Sequence, residues 1–244
     1  MVSTGGQVGS GARVAPEQGA APAAAPILEA IIGDTAPVDP QALLLPLADS
    51  VGHLFPGGCL RRGSAVRVSG ADGATTLALA LAAGPCRSGA WLGCAGFRDL
   101  GWEAASQVGL PLRRVVDVAS GEAPVLAAML DTFDLVLCGP QVSVGSRMWE
   151  RLRARARERG AVIVAVDAPR DRADRSCLRS DVDVTVRSST WEGLGSGWGN
   201  LSGRRIAVEV RGRGAMARPA VLEVLLGSGP PAVGPPRERL GLVV

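Results

Sequence analysis

Short apolar runs alternate along this chain with longer segments whose apolar positions recur every one to four residues. The runs at 65–68, 90–95, 134–138 and 161–166 read as strands, and 113–118 as a strand with alternating exposure. The segments 100–108, 122–132 and 147–159 read as helices, the last with Met148, Trp149, Leu152 and Ala156 along one side. Strands apolar throughout, alternating with helices, imply a parallel sheet covered on both faces. After residue 180 the pattern changes. Segments 183–187, 204–211 and 220–226 alternate residue by residue and are joined by glycine-rich turns, which predicts an antiparallel extension. The expected fold class is α/β, with a mostly parallel central sheet flanked by helices and an antiparallel C-terminal extension.

The ends lack this periodicity. Residues 1–26 are Gly, Ala, Pro and Ser with scattered charges and are expected to be a disordered leader. An N-terminal helical segment is expected over 27–54, as a short turn at 27–32 and a helix over 40–54. The core should occupy 55–226. Residues 227–244 return to Gly and Pro and are expected to be a disordered tail; a short docking peptide within Arg239–Val243 is the competing reading.

Candidate chemistry centres on AVRVSGADGATTLALALAA, residues 65–83. A strand, a glycine-bearing loop and a helix opening at Thr75 and Thr76 stand in the order of a phosphate-binding loop. The working pattern is G-x-x-x-x-G-K-[ST]. Here Gly70 and Gly73 are three apart, and Ala74 fills the lysine slot. Lysine is absent from the whole chain, and all 26 basic residues are arginine. The loop is too short to wrap two phosphates and holds no charge to neutralise them. Asp72 would repel a phosphate and is expected to cap the helix or the turn. Gly70, Gly73, Ala74, Thr75 and Thr76 therefore read as a vestigial nucleotide site, in which the threonines can cap the helix or donate to a phosphate oxygen. A strand–helix turn retained for the fold accounts for the same residues. No cofactor is expected.

Bulk properties narrow the classes. A net charge of +3 permits nucleic-acid contact without arguing for it. Five cysteines without a C-x-x-C pair, and a single histidine, His53, argue against a metal site or a disulfide framework. Buried free thiols in a reducing cytoplasm fit better. No apolar run reaches the roughly 18–20 residues of a membrane span, and no signal-peptide pattern opens the chain. The expected location is the cytoplasm, with nucleoid association possible in principle for a DNA-related role.

The order of elements from about 43 to 226 resembles the RecA core. LFPGGCLRRGSAVRVSG is similar to that family's entry into its P-loop, and GAWLGCAGFRDLGWEAASQVGLPLRRVVDV to its next strand, helix and strand. DTFDLVLCGP stands where the metal-binding strand belongs, and the glycine-rich hairpin before RRIAVEVRG resembles the late strands. The departures fall where that family does its chemistry. Ala74 replaces the lysine, Gly96 and Phe97 stand where the water-activating glutamate belongs, and Cys138-Gly139 stand near the metal-binding aspartate. Only 23 residues separate Cys138 from Val162, too few for a first DNA-binding loop beside a helix, and a second such loop, 168–180, is abbreviated. Asp167 ends an apolar strand but comes one strand too late to bind the metal.

A RecA-like chain with this degenerate nucleotide site resembles the ImuA family, particularly its actinobacterial variety. The resemblance implies a non-catalytic adaptor in SOS-induced translesion synthesis. Its implied partners are an ImuB-type Y-family polymerase relative and an error-prone C-family polymerase. Rival readings are a weak ATPase recruiting Arg61 or Arg62 to the phosphates, a DNA-binding recombination mediator, and a SulA-like cell-division inhibitor. For contact with DNA or a partner, the candidates are Arg170, Arg172, Arg175 and Arg179, past the end of a strand but interleaved with Asp171, Asp174 and Asp181. Trp191 and Trp198, in the glycine-rich hairpin, are candidate interface anchors, against an expectation that they pack back on the sheet. Arg147, Arg151, Arg153, Arg155, Arg157 and Arg159 read as a solvated helix face partly paired with Glu150 and Glu158.

Overall fold

The computed structural model describes residues 40–70, 72–167, 179–194 and 199–227. Its strands are β1 (Leu44–Pro46), β2 (Cys59–Arg61), β3 (Ala65–Ser69), β4 (Leu92–Ala95), β5 (Val115–Val118), β6 (Leu135–Cys138), β7 (Val162–Asp167), β8 (Val182–Leu194), β9 (Gly199–Gly212) and β10 (Ala220–Leu226). The helices are α1 (Asp49–Gly52), α2 (Ala74–Arg87), α3 (Trp102–Gln107), α4 (Ala123–Thr132) and α5 (Ser146–Arg159). Eight strands form one sheet in the order β10-β9-β8-β3-β7-β6-β4-β5, and β1 pairs with β2 separately. From β5 to β8 every pairing is parallel. β9 and β10 add to that edge antiparallel. The mostly parallel sheet with an antiparallel extension is as the apolar pattern predicts.

The central strands are buried on both sides. Val66, Val68, Leu92, Leu137 and Val164 join a core that contains α2. Ala65, Val136, Ile163 and Ala165 point the other way, into a cluster with Leu126 and Leu130 of α4 and Trp149 and Leu152 of α5. Helix α2 is buried almost all round, the expected condition of an apolar helix lying under a sheet. Each of its fully covered leucines contributes roughly 1.5–3 kcal/mol relative to exposure. Helix α5 buries one stripe, Trp149, Leu152, Arg153 and Ala156, and stops at Gly160 in the left-handed region (φ 70°).

The extension is one-sided. Ile206, Val208, Val210, Val224 and Leu226 face the core shared with α2. On the opposite face, cross-strand ion pairs join Arg67 to Asp183 at 2.8 Å, Arg187 to Glu209, and Arg205 to Glu192 and Glu223 at 2.7 and 3.4 Å. A half-solvated antiparallel sheet gives this alternation of apolar and charged positions. A bulge between Val186 and Ser188 shifts the register by one residue. Without it, Ser188 and Thr190 would follow Val184 and Val186 onto the core side; with it, Ser189 and Trp191 do.

Several expectations need correction. Residues 40–54 are not one helix but a 3-10 turn (Pro40–Leu43), strand β1 and the four-residue α1. Pro46 cannot continue a helix, and Leu45 is buried opposite Leu60 while Leu44 is exposed, a period of two. This segment lies against Gly84 of α2, where a Cβ would come within 2.5 Å of the Leu47 carbonyl carbon. Strand β5 does not alternate in exposure: its middle residues, Val116 and Asp117, are both exposed because it is the sheet edge. Met148 is exposed, whereas Arg153, expected on the solvated face, is only 6% exposed. The expected helical turn at 27–32, the leader 1–26 and the tail from 228 lie outside the described residues.

Candidate functional site

Strand β3 delivers the chain to the loop, and the loop is moulded to the extension. Gly70 (φ 123°) sits where a Cβ would lie 2.7 Å from the Val186 carbonyl oxygen. Gly73 (φ 95°) is the N-cap of α2, and a Cβ on it would meet Ile206 Cγ2 at 3.3 Å and Arg204 Cζ at 3.4 Å. Both glycines are therefore required by backbone conformation and by close packing on β8 and β9. Ala74 is 4% exposed and belongs to the core. The threonines do not cap the helix, because Gly73 occupies that position without any side-chain cap bond. Asp72 does not cap it either, and is exposed. Thr75 and Thr76 are half-buried in the first turn.

The strand order locates the remaining positions. In β8-β3-β7-β6-β4, the strand ending at Cys138 lies two places from the loop strand, and β7 with Asp167 lies between them. Asp167 is registered against Ser69, whose hydroxyl shares a 3.1 Å hydrogen bond with Thr185. Cys138 is buried, and burial pushes its thiol up to about 12. Gly139 donates its N–H to the Ala95 carbonyl at 2.7 Å, and a Cβ there would overlap the Gly96 carbonyl oxygen. Gly96 is in turn hemmed in, with Val142 Cγ2 2.8 Å from where its Cβ would stand. At the ends of β4 and β6, therefore, neither glycine leaves room for a side chain unless its neighbours move. Burial also pushes the thiols of Cys86 and Cys94 up to about 12. Cys59, expected to be buried, is only partly so, and its thiol donates to the Gly57 carbonyl at 3.3 Å. No cluster of three or more His, Cys, Asp or Glu able to hold a metal occurs among the described residues.

The arginines separate by role. Arg62 donates to Asp134 at 2.9 Å, at the entry to β6 and thus at the opposite end of the strands from the loop. Arg61, on β2, precedes β3 at that same end. Arg155 and Arg159 clamp Asp131 of α4 through their Nε atoms at 2.8 and 3.0 Å. Arg153 donates to Asp181 at 2.9 Å, and Asp181 accepts the Ala65 N–H with its other oxygen. Trp149 Nε1–H donates to the Arg179 carbonyl at 2.8 Å. Arg179 therefore lies where α5 is tied to the entry of β8, while Arg170, Arg172, Arg175 and Trp198 lie outside the described residues.

Trp191 does not pack flat on the sheet. It is 52% exposed, and the Arg204 guanidinium stacks over its ring at 4.8 Å from the centroid. Arg204 Nε–H also donates to Ser189 Oγ at 2.5 Å. Trp191 and Arg204 border a pocket of about 400 Å³ between the extension and helices α2 and α3, lined also by Thr76, Gln107, Val108 and Leu201 among others. The sequence reading named Trp191 and Thr76 but missed Arg204, Leu201, Gln107 and Val108. The bulge that turns Trp191 to this side leaves no mark in the composition of β8.

Known proteins place the fold. Residues 53–171 match the family described as MT3502 N-terminal domain, a span that ends before β8. No curated protein matches. Among solved structures, the crystal structure of flagellar accessory protein FlaH from Methanocaldococcus jannaschii is similar, with a TM-score of 0.53 and 10% identity, covering 77% of this chain and 96% of that one. Together with the strand order, this likeness shows a shared α/β fold, a mostly parallel central sheet flanked by helices, and makes the chain a distant structural relative of FlaH.

Proposed function

We propose that this chain is a non-catalytic RecA-like adaptor, a rigid sheet that binds other proteins rather than hydrolysing nucleotide. The observation that carries the reading is the lack of room for a side chain at Gly139, whose Cβ would overlap the Gly96 carbonyl oxygen, near where an ATPase of this fold carries its metal-binding carboxylate. The missing lysine and the burial of Ala74 support it. A lysine–phosphate contact contributes roughly 1.5–3 kcal/mol as a charge-assisted hydrogen bond. Losing it together with the metal leaves too little to hold a nucleotide at cellular concentration. The placement of Arg62 on Asp134 also weighs against the rival in which that arginine serves the phosphates.

The resemblance to the ImuA family supplies the partner class: an ImuB-type Y-family polymerase relative, with an error-prone C-family polymerase, in SOS-induced translesion synthesis. Isothermal titration calorimetry with ATP and Mg²⁺ tests the non-catalytic part. The expected result is no binding heat, and micromolar binding or turnover overturns it. Co-purification with the ImuB-type protein after DNA damage tests the partner. Recovery of a tubulin-like division protein instead would favour the SulA-like alternative. Salt-sensitive DNA binding would favour the recombination mediator.

A further inference from the structure

We propose that the pocket beneath the β8–β9 hairpin docks a short segment of a partner protein that presents a bulky apolar side chain beside a carboxylate. The inference rests on the adaptor reading and names the chemistry of what is bound. At about 400 Å³, the pocket falls in the range of small-ligand sites and takes one large side chain with its neighbours. Val108 and Leu226 belong to its apolar lining. At its border, Trp191 and Leu201 are each 52% exposed, a paired exposure of large apolar side chains on a concave surface. Exposed tryptophan beside arginine is the composition of an energetic hot spot.

Charge selects the partner. On the open face, three arginines meet carboxylates across the strands: Arg67 of β3 with Asp183, Arg187 with Glu209, and Arg205 with Glu192 and Glu223. Arg204, one residue from Arg205 but turned to the pocket side, pairs with no carboxylate among the described residues. Its guanidinium is held by the Trp191 ring and by Ser189 Oγ. That leaves donors for one incoming anion, and a planar guanidinium matches a carboxylate through two parallel bonds. A polyphosphate brings several charges to this single cation, and a nucleic-acid backbone needs a row of cations. One carboxylate on an apolar segment balances the site.

The experiment selects short random-sequence peptides displayed on phage against the full-length chain, with counter-selection on the Arg204→Glu variant. The expected peptides place a large apolar residue next to Asp or Glu. They should lose about tenfold or more in affinity on Arg204→Glu, and similarly on Trp191→Ala. Replacing the peptide's acid by Arg should restore binding to the Arg204→Glu chain, an outcome that a misfolded variant does not give. The proposal is overturned by peptides that bind all three chains equally, by enrichment of basic peptides, or by no enrichment. Selected sequences that copy residues 228–244 also overturn it, since the occupant is then this chain's own tail. Displacement of the peptides by micromolar ATP would instead strike down the adaptor reading, so the two failures are told apart.

Discussion

On either side of β3 the loop end of the sheet meets two opposite fates. Towards β6 and β4 the strand ends are shut, with Gly139 on Gly96 and Gly96 against Val142. Towards β8 and β9 a bulge turns Trp191 to the pocket side, where it stays half exposed beside an arginine that has no carboxylate partner among the described residues. The first region has no room for a side chain at 139, while the second leaves an open concavity between the extension and the helices. The informative region here is where the extension joins the core.

The largest effect should come from placing an acid at Gly139. Gly139→Asp drives a Cβ into the Gly96 carbonyl oxygen, where backbone rather than a flexible side chain must move. The expected loss is about 3 kcal/mol, or roughly 6–12 °C in thermal midpoint for a chain of this size. Thermal melts followed by circular dichroism measure it. An unchanged midpoint would mean that this end is open after all, and the contrast between the two regions would fail.

How much of that contrast could be read beforehand follows from what one-dimensional pattern encodes. The strands β4, β6 and β7 were legible because two-sided burial leaves them without polar interruption, as in Val162–Val166. The burial of Ala74 was legible as well, because it lies in an apolar helix that the pattern places under the sheet. The pocket was not legible. Its side chains come from α2, α3, β8, β9 and β10, and one extra residue at 186–188 decides which of them face it. Arg153 was misplaced for a related reason: helical spacing puts it on the buried stripe, but a charge on that stripe is unreadable until Asp181 arrives from the residue just before β8.

Arg153 is also the joint between the two regions, tying α5 to the first residues of β8. Its Nε has no hydrogen-bond partner among the described residues, so the guanidinium depends on Asp181 and Glu150. Arg153→Ala should cost about 2 kcal/mol in urea unfolding, below the usual figure for a broken buried pair because Asp181 remains partly solvated. A loss confined to the far side, seen as faster amide exchange in β8 and β9 with β6 and β7 unchanged, would show the regions to be separable. Uniform loosening would show them to be one cooperative unit. On the open face of the extension the effect shrinks. Arg187→Ala removes an exposed cross-strand pair with Glu209 and should cost about 0.5 kcal/mol, vanishing in high salt.

The smallest effect belongs to the helix layer that backs the shut region. Asp131 is held below its ordinary value of 3.8, first by the hydrogen bond from Arg155 and then by the charges of Arg155 and Arg159. A carboxylate whose folded pKa is depressed adds stability above its unfolded pKa and loses it as pH falls through the folded value. The contribution is therefore complete at neutral pH, starts to fade near the unfolded value of about 4, and is lost as the pH falls through the depressed folded value. Because both arginines are well exposed, solvent screening keeps it small. Wild type and Asp131→Asn should differ slightly at pH 7 and converge as the pH drops below the carboxylate range, in urea titrations run across that interval. A difference that persists undiminished in acid would assign the role of Asp131 to packing between α4 and α5 rather than to charge. The shut end would then owe the rigidity of its backing to apolar contact alone.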